Sequence, residues 1–255
     1  MHDVFKSIEA VSQKSNINTD LPYNLNDNPK ANLAIWQNLG ITWEDPGVPI
    51  SYRINEYGYR GNQFANVDWN NVGICIGDSQ MFGTGLAESH TIPGYLSAST
   101  GIEFVNFGEC NSSNTFMSEQ SVVLALAGIK PKAVVVLTTS MYRTSWGVGG
   151  DRTHLNAWCL DTDNDLKFFN HWADNYNRVR YQSILAFNTI KSNWPNTPLA
   201  MLTYDGEIER HYNMEHIPRT IITNYARDGK HHSHITSKVI ADKFLERLLQ
   251  QNFNS

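Results

Sequence analysis

The chain is poor in several things that would have fixed its class at once. It has three cysteines in 255 residues, Cys75, Cys110 and Cys159. They cannot all pair, and Cys75 sits in an apolar run, so they read as free thiols and no oxidising compartment is required. Charged residues are only 18% of the chain, against 41% hydrophobic, which excludes a disordered polyampholyte. Basic residues are outnumbered, 20 to 25, for a net charge of −5, so a nucleic-acid-binding face is not expected. No run reaches the ~18 apolar residues of a membrane span. The opening MHDVFKSIEAVSQKSN lacks the apolar core of a secretory leader, which predicts a soluble, cytoplasmic protein and leaves association with a virion open. Neither the phosphate loop GxxxxGK[ST] nor the nucleophile elbow GxSxG is present. At ~150 residues per domain the length fits one core, or one core with an addition.

Residues 1–50 are polar and rich in Asn and Pro, and read as an amino-terminal extension. A short helix is predicted within them, with Asn28 as N-cap, Pro29 at its first position and Gly40 past its end. Residues 51–65, with Gly58 and Gly61, read as a hairpin or loop into the core. From residue 72 apolar runs alternate with amphipathic stretches. VGICIG (72–77), IEFVNF (102–107), AVVVLTT (133–139) and PLAMLTY (198–204) are predicted strands, and TIITNYA (220–226) a fifth strand or an irregular segment. Helices are predicted before the second strand and over 115–128, with Asn114 as N-cap and Gly128 beyond the end. Two more are predicted over 177–194, stopped by Pro195, and over 233–250. In the last, Ile235, Val239, Phe244, Leu245, Leu248 and Leu249 are expected on one face. Alternation of this kind implies parallel βαβ units and a doubly wound α/β sheet. Ligand sites in such sheets lie at the carboxyl ends of the strands.

One long insertion, 141–176, interrupts the alternation and carries Trp146, Trp158, Phe168, Phe169 and Trp172. It is either a lid over the strand ends or a packing flap without a ligand.

The first strand runs into Gly77-Asp78-Ser79-Gln80, which places a serine at a tight strand-to-helix turn with its hydroxyl at the sheet's edge. Backbone N–H groups at a helix start suit an oxyanion there; the plainer alternative is an N-cap serine. A serine nucleophile needs a base and a group to orient it. Asp228-Gly229-Lys230-His231, just before the final helix, offers a carboxylate and an imidazole three residues apart in one loop. The competing readings are a solvated loop, or a metal site built from His231, His232 and His234.

Together, GDSQ after an apolar strand, a glycine (Gly108) after the second strand and DGKH before the last helix resemble the GDSL, or SGNH, hydrolases. SYRINEYGYRG is similar to the Tyr–Asn–Gly–Tyr/Phe–Arg segment upstream of the first block in many members. The resemblance spans roughly residues 52–245. It implies a three-layer α/β/α sandwich around a flavodoxin-like parallel sheet of about five strands. It implies Ser79 as nucleophile, His231 as general base and Asp228 as its orienter, with no cofactor and no metal. The implied oxyanion donors are the N–H groups of Ser79 and Gly108 and an asparagine side chain after the third strand. That asparagine is missing: the family's GxND falls on Thr138-Thr139-Ser140-Met141, with Ser140 in its place. One lost oxyanion donor costs ~10²–10³ in rate. Asn111 or Asn114, in the ECNSSN stretch, is expected to fill the gap. A second departure is Gln80 where the family has Leu. The implied activity is hydrolysis of a small acyl ester, acetyl foremost, on a small molecule or glycan. The alternatives are acyl transfer, or a catalytically weak or inactive module that binds a glycan or protein. Oligomeric state is not legible.

Overall fold

Residues 72–77 (VGICIG) are buried along their whole length, as a strand covered on both faces must be. In the computed structural model this run is the second strand of the main sheet in space. Residues 2–10, 15–22, 50–146, 153–155, 163–212, 214–218, 226 and 231–253 are described. In chain order the elements are α1 (His2–Phe5), β1 (Asp20–Pro22), β2 (Ser51–Arg53), β3 (Val72–Gly77), α2 (Ser79–Phe82), α3 (Ile92–Thr100), β4 (Glu103–Gly108), α4 (Asn114–Leu126) and β5 (Ala133–Thr138). There follow β6 (Thr144–Trp146), β7 (Thr153–Leu155), α5 (Asp163–Ala173), α6 (Tyr176–Asn193), β8 (Leu199–Thr203), α7 (Gly206–Tyr212), β9 (Glu215–His216) and α8 (His234–Leu249).

The main sheet has the order β4-β3-β5-β8-β9, and every pair in it is parallel. Counted along the chain this is the order 2-1-3-4-5, the flavodoxin-like one, and its direction of growth reverses between β3 and β5. Strand alternation divides the core into two layers. Ile74, Ile76, Val134 and Val136 pack with Phe116, Met117 and Leu124 of α4 and Ile190 of α6. Cys75, Val135 and Leu137 pack with Leu96 of α3 and Ile240, Phe244 and Leu248 of α8. Helices therefore cover both faces, in three α/β/α layers.

Several local expectations need correction. The N-cap of α4 is Ser113, whose hydroxyl accepts from the Phe116 N–H; Asn114 is the first helical residue. Gly128 lies past the end of that helix with φ +78°, as a left-handed stop requires. The fifth strand is Glu215–His216, a two-residue element with no apolar run to announce it. Residues 220–225 and the helix predicted at 28–40 lie outside the described residues. On α8 the buried stripe is Thr236, Ser237, Ile240, Ala241, Phe244 and Leu248, whereas Ile235 and Leu249 are exposed. Small hydroxyl residues start the stripe because the helix begins close against the sheet's edge, where Ser233 caps it by accepting from Thr236 N–H.

At the chain's start, Phe5 and Ile8 are buried in the core, and the Phe5 ring lies 5.0–5.5 Å from those of Tyr57, Phe64 and Trp69. The 51–65 segment pairs β2 with β1 antiparallel and then turns tightly, with Ile54 bridging Arg60. Within the insertion, β6 and β7 form an antiparallel hairpin. Phe169 and Trp172 of α5 join Met141, Leu155, Val179, Phe187 and Ile208 in a separate apolar cluster. Trp158 lies outside the described residues.

Candidate active site

Ser79 stands at the carboxyl end of β3, beside the reversal in strand order. The residue before it, Asp78, caps α2: its Oδ1 accepts from the Gln80 N–H at 3.0 Å. Its Oδ2 accepts from the Thr139 hydroxyl at 3.1 Å and from Arg143 Nη1 at 3.0 Å. One buried carboxylate thus ties the serine turn to the end of β5 and to the start of the insertion. Four residues on, Gly83 closes α2 in the left-handed conformation, φ +81°, which a glycine adopts without strain.

A buried arginine holds the far side of the same turn. Arg60 donates through Nη1 to the carbonyls of Phe82 and Gly83, at 3.3 and 2.7 Å. Through Nη2 it donates to those of Ser51 and Leu86, at 3.2 and 2.7 Å. Its guanidinium carbon lies 4.5 Å from the centre of the Tyr52 ring. Burial lowers its pKa to about 10, so it remains a cation at neutral pH. The YGYR segment is shaped for this role. Asn55 Oδ1 accepts from the N–H groups of Tyr57 and Tyr59, each at 3.0 Å. Gly58 takes φ +80°, where a Cβ would stand 2.7 Å from the Ala10 carbonyl oxygen.

The imidazole arrives from the other end of the chain. His231 Nε2 lies 2.8 Å from Ser79 Oγ. The loop that carries it is fixed by the Ala226 N–H donating to the His231 carbonyl at 2.9 Å and the His232 N–H donating to Gln80 Oε1 at 3.0 Å. Asp228 lies outside the described residues. The three histidines once considered as metal ligands face different partners. His231 meets Ser79, His232 Nδ1 meets the Tyr204 hydroxyl at 2.9 Å, and the His234 ring packs 5.3 Å from His90. Burial lowers the His232 pKa to about 4, against which the nearby Asp78 charge works only in part, so that ring is neutral at pH 7. Burial likewise raises the Tyr204 hydroxyl well above its ordinary value.

The expected oxyanion donors are placed as follows. Ser79 is the first residue of α2, so its N–H has no acceptor within the helix. The Gly108 N–H donates to Asn106 Oδ1 at 2.8 Å, and a Cβ on Gly108 would come within 2.2 Å of the Phe82 nitrogen. This glycine is needed for close packing of β4 against α2, and its N–H is engaged inside the protein. Asn114 is 2% exposed and spans the Thr139 backbone: Nδ2 donates to its carbonyl at 3.0 Å and Oδ1 accepts from its N–H at 3.1 Å. Asn111 sits in the turn after β4 with φ +64°. Ser140 is exposed, and its hydroxyl accepts from the Tyr142 N–H at 3.3 Å, which leaves its own proton to donate.

A cavity of about 470 Å³ opens over the ends of β3, β5 and β8. It is lined by the neighbours of the Ser79–His231 pair, Asp78, Gln80 and His232, and by Ser140, Tyr142 and Tyr204 among others. A larger hollow, about 860 Å³, runs beside β4 and α3 and includes neither Ser79 nor His231. The smaller one does not include them either, but it is bordered by their chain neighbours Asp78, Gln80 and His232. Arg60 and Arg143 are contributors that the sequence did not single out, and Gln80, marked there only as a departure from the family's Leu, supports the histidine loop. Arg60 lay inside the YGYR resemblance, but nothing in its sequence marked it as buried.

No protein-family model and no curated protein matches the chain. Among solved structures it is similar to a member of the lipolytic G-D-S-L family from Veillonella parvula, at 14% identity and TM-score 0.41, over 69% of this chain and 96% of that one. It is also similar to an SGNH-hydrolase family esterase, at 16% identity and TM-score 0.33, over 72% and 74% of the two chains. A third is an acetyl xylan esterase from the rumen bacterium Butyrivibrio proteoclasticus, at 9% identity and TM-score 0.41, over 71% of this chain and 64% of that one.

Proposed function

We propose that the chain is a serine ester hydrolase that removes a small acyl group, acetyl foremost, from a carbohydrate. The observation that carries this reading is the 2.8 Å contact between Ser79 Oγ and His231 Nε2 at the carboxyl edge of the sheet. A hydroxyl at that distance from an imidazole nitrogen can pass its proton to the ring as it attacks a carbonyl carbon. Asp228 is assigned the role of holding the His231 tautomer with Nδ1 protonated. In this reading the tetrahedral oxyanion is received by the Ser79 N–H and the Ser140 hydroxyl. Ser140 replaces the missing asparagine in this reading because the Gly108 N–H and the Asn114 amide are engaged elsewhere. His231 then returns the proton to the leaving alcohol, and water repeats the sequence on the acyl-serine.

Hydrolysis of p-nitrophenyl acetate tests the reading. Ser79→Ala and His231→Ala should each lose at least ~10³-fold in kcat. An alkyl fluorophosphonate should attach to Ser79, seen by peptide mass spectrometry, and the adduct should disappear in His231→Ala. Ser140→Ala should lower kcat about tenfold or more with KM unchanged, since a rotatable hydroxyl is a weaker donor than the ~10²–10³ side-chain case. Absence of both turnover and adduct in the native protein would return the chain to the binding-module alternative.

A further inference from the structure

Among the described residues of the insertion, Trp146 is the most exposed aromatic side chain. Trp146, at the end of β6, is 63% exposed, and the Phe168 ring of α5 meets it nearly edge-to-face at 5.1 Å and 79°. The ring is thus mostly in water, with Phe168 held against it. Its base is fixed. Ser145, the preceding residue, hydrogen-bonds both Ser113 Oγ, the cap of α4, at 2.6 Å and His154 Nδ1 of β7 at 2.8 Å. His154 Nε2 lies in turn 3.4 Å from the fully buried carboxylate of Glu109, on the loop that leaves β4. The hairpin is thereby pinned, through buried polar groups, to the loop and helix start on the cleft side of the sheet.

The path from the cleft to this ring is short. Tyr142 lines the cavity and is 38% exposed, and Trp146 follows four residues later, at most ~13 Å of extended backbone away. The cavity lining offers threonine, serine and tyrosine hydroxyls and the Gln80 amide, together with the charged Asp78, Arg143 and Asp205, a hydrogen-bonding wall that suits a polyhydroxylated ligand better than an apolar one. An exposed tryptophan near such a lining can stack on a sugar ring while the polar groups take its hydroxyls.

We propose that Trp146, braced by Phe168, is a saccharide-stacking subsite outside the reaction cleft, and that the substrate is a polysaccharide or long oligosaccharide gripped some way from the scissile ester. The proposal rests on the esterase reading above, and it makes the ring a binding residue with no part in the chemistry. Contacts to a non-reacting part of a substrate raise kcat/KM for the long substrate and leave a short one indifferent.

The experiment pairs two substrates with two ring variants. Trp146→Ala should keep kcat/KM on p-nitrophenyl acetate within about twofold and lose about tenfold on acetylated xylan or acetylated glucomannan, the usual scale for truncating an aromatic anchor. Trp146→Phe should restore most of that loss, and Phe168→Ala should produce a smaller one. Binding is read separately with the inert Ser79→Ala protein in native gels containing xylan, glucomannan or arabinogalactan. Ser79→Ala should be retarded in at least one gel, and Ser79→Ala/Trp146→Ala should run freely. Equal losses on both substrates, no loss on either, or free migration of Ser79→Ala in every gel would overturn the subsite. So would a dimer in sedimentation that Trp146→Ala dissolves. If the native protein hydrolyses neither ester but Ser79→Ala is retarded and the double variant is not, the esterase reading falls and the subsite stands.

Discussion

The two halves of the Ser79–His231 pair are held in different ways. The serine turn is gripped from every side. Asp78 receives three donors, Arg60 gives four bonds to backbone carbonyls, and Gly108 admits α2 at a distance that no side chain would allow. The histidine loop is tied at fewer points among the described residues: Ala226 N–H to the His231 carbonyl, His232 N–H to Gln80, and the Tyr204–His232 bond. A nucleophile at a strand-to-helix turn must resist the backbone's own preferences, so its support is dense and built into the core. In the proposed reading the base has to be delivered to the hydroxyl, and these bonds at the mouth of the cleft contribute to that. Damage to the first region should therefore appear as lost stability, and damage to the second as lost catalysis.

The largest effect is expected at Arg60. Arg60→Ala would remove a charged donor from four carbonyl oxygens, those of Phe82, Gly83 and Leu86 around the end of α2 and that of Ser51 in β2, and empty a site that is 2% exposed. Bonds from a charged donor are worth ~1.5–3 kcal/mol each, and partial relaxation leaves a net loss of about 4 kcal/mol. Urea denaturation should show it as a large fall in midpoint. A variant that unfolds at the native midpoint would mean that the turn is held by Asp78 alone.

His232 gives the next effect, and it depends on pH. Its folded pKa is about 4, below the ordinary 6.5 of histidine, because burial disfavours the cation. Between those values the unfolded chain binds a proton that the folded chain refuses. The stability contributed by the neutral ring is thus whole above pH 6.5 and is lost as pH falls toward 4. The full loss is about 3 kcal/mol. His232→Asn keeps a polar group toward Tyr204 without titrating there. The native protein should lose more stability than this variant between pH 7 and pH 4.5, as measured by denaturant midpoints. Parallel curves would show that His232 is solvated and that the loop is looser than its contacts indicate.

The same contrast explains what the sequence could tell. Runs such as VGICIG and AVVVLTT are strands because burial on both faces requires continuous apolar residues, and they are legible for that reason. Ser79 and His231 were legible because glycine, aspartate and a helix start surround one, and an aspartate in the same loop marks the other. Glu215–His216 was not, since two residues at a sheet's edge carry no pattern. Arg60 was not, because a buried cation satisfied by carbonyls has the spelling of a surface residue. Ser113 displaced Asn114 as cap because Asn114 is drawn across to Thr139, a partner 25 positions away that no local rule can supply. The Glu109–His154 contact escaped for the same reason: it joins the loop after β4 to β7, across α4, β5 and β6.

The smallest effect, and the sharpest test of the contrast, is at Gln80. This side chain belongs to the serine turn in sequence but serves the histidine loop, accepting the His232 N–H one residue beyond the His231 imidazole. Gln80→Leu removes that acceptor at nearly constant volume, on a half-buried residue whose backbone N–H still caps onto Asp78. The turn should keep its shape, so the denaturation midpoint should move by less than about 1 kcal/mol. The loop, short of one of its few ties, should let the His231 ring wander from Ser79. Misplacement of a reacting group by ~1 Å can cost ~10²-fold, so partial loosening predicts a fall in kcat of about tenfold on p-nitrophenyl acetate, with KM little changed. Gln80→Glu retains an oxygen for the N–H and should recover most of the rate near neutral pH. Phosphonylation of Ser79 should slow in the same order, Leu below Glu below Gln. If Gln80→Leu instead lowers stability and leaves kcat intact, the glutamine belongs to the dense region after all, and the histidine loop is held by Tyr204.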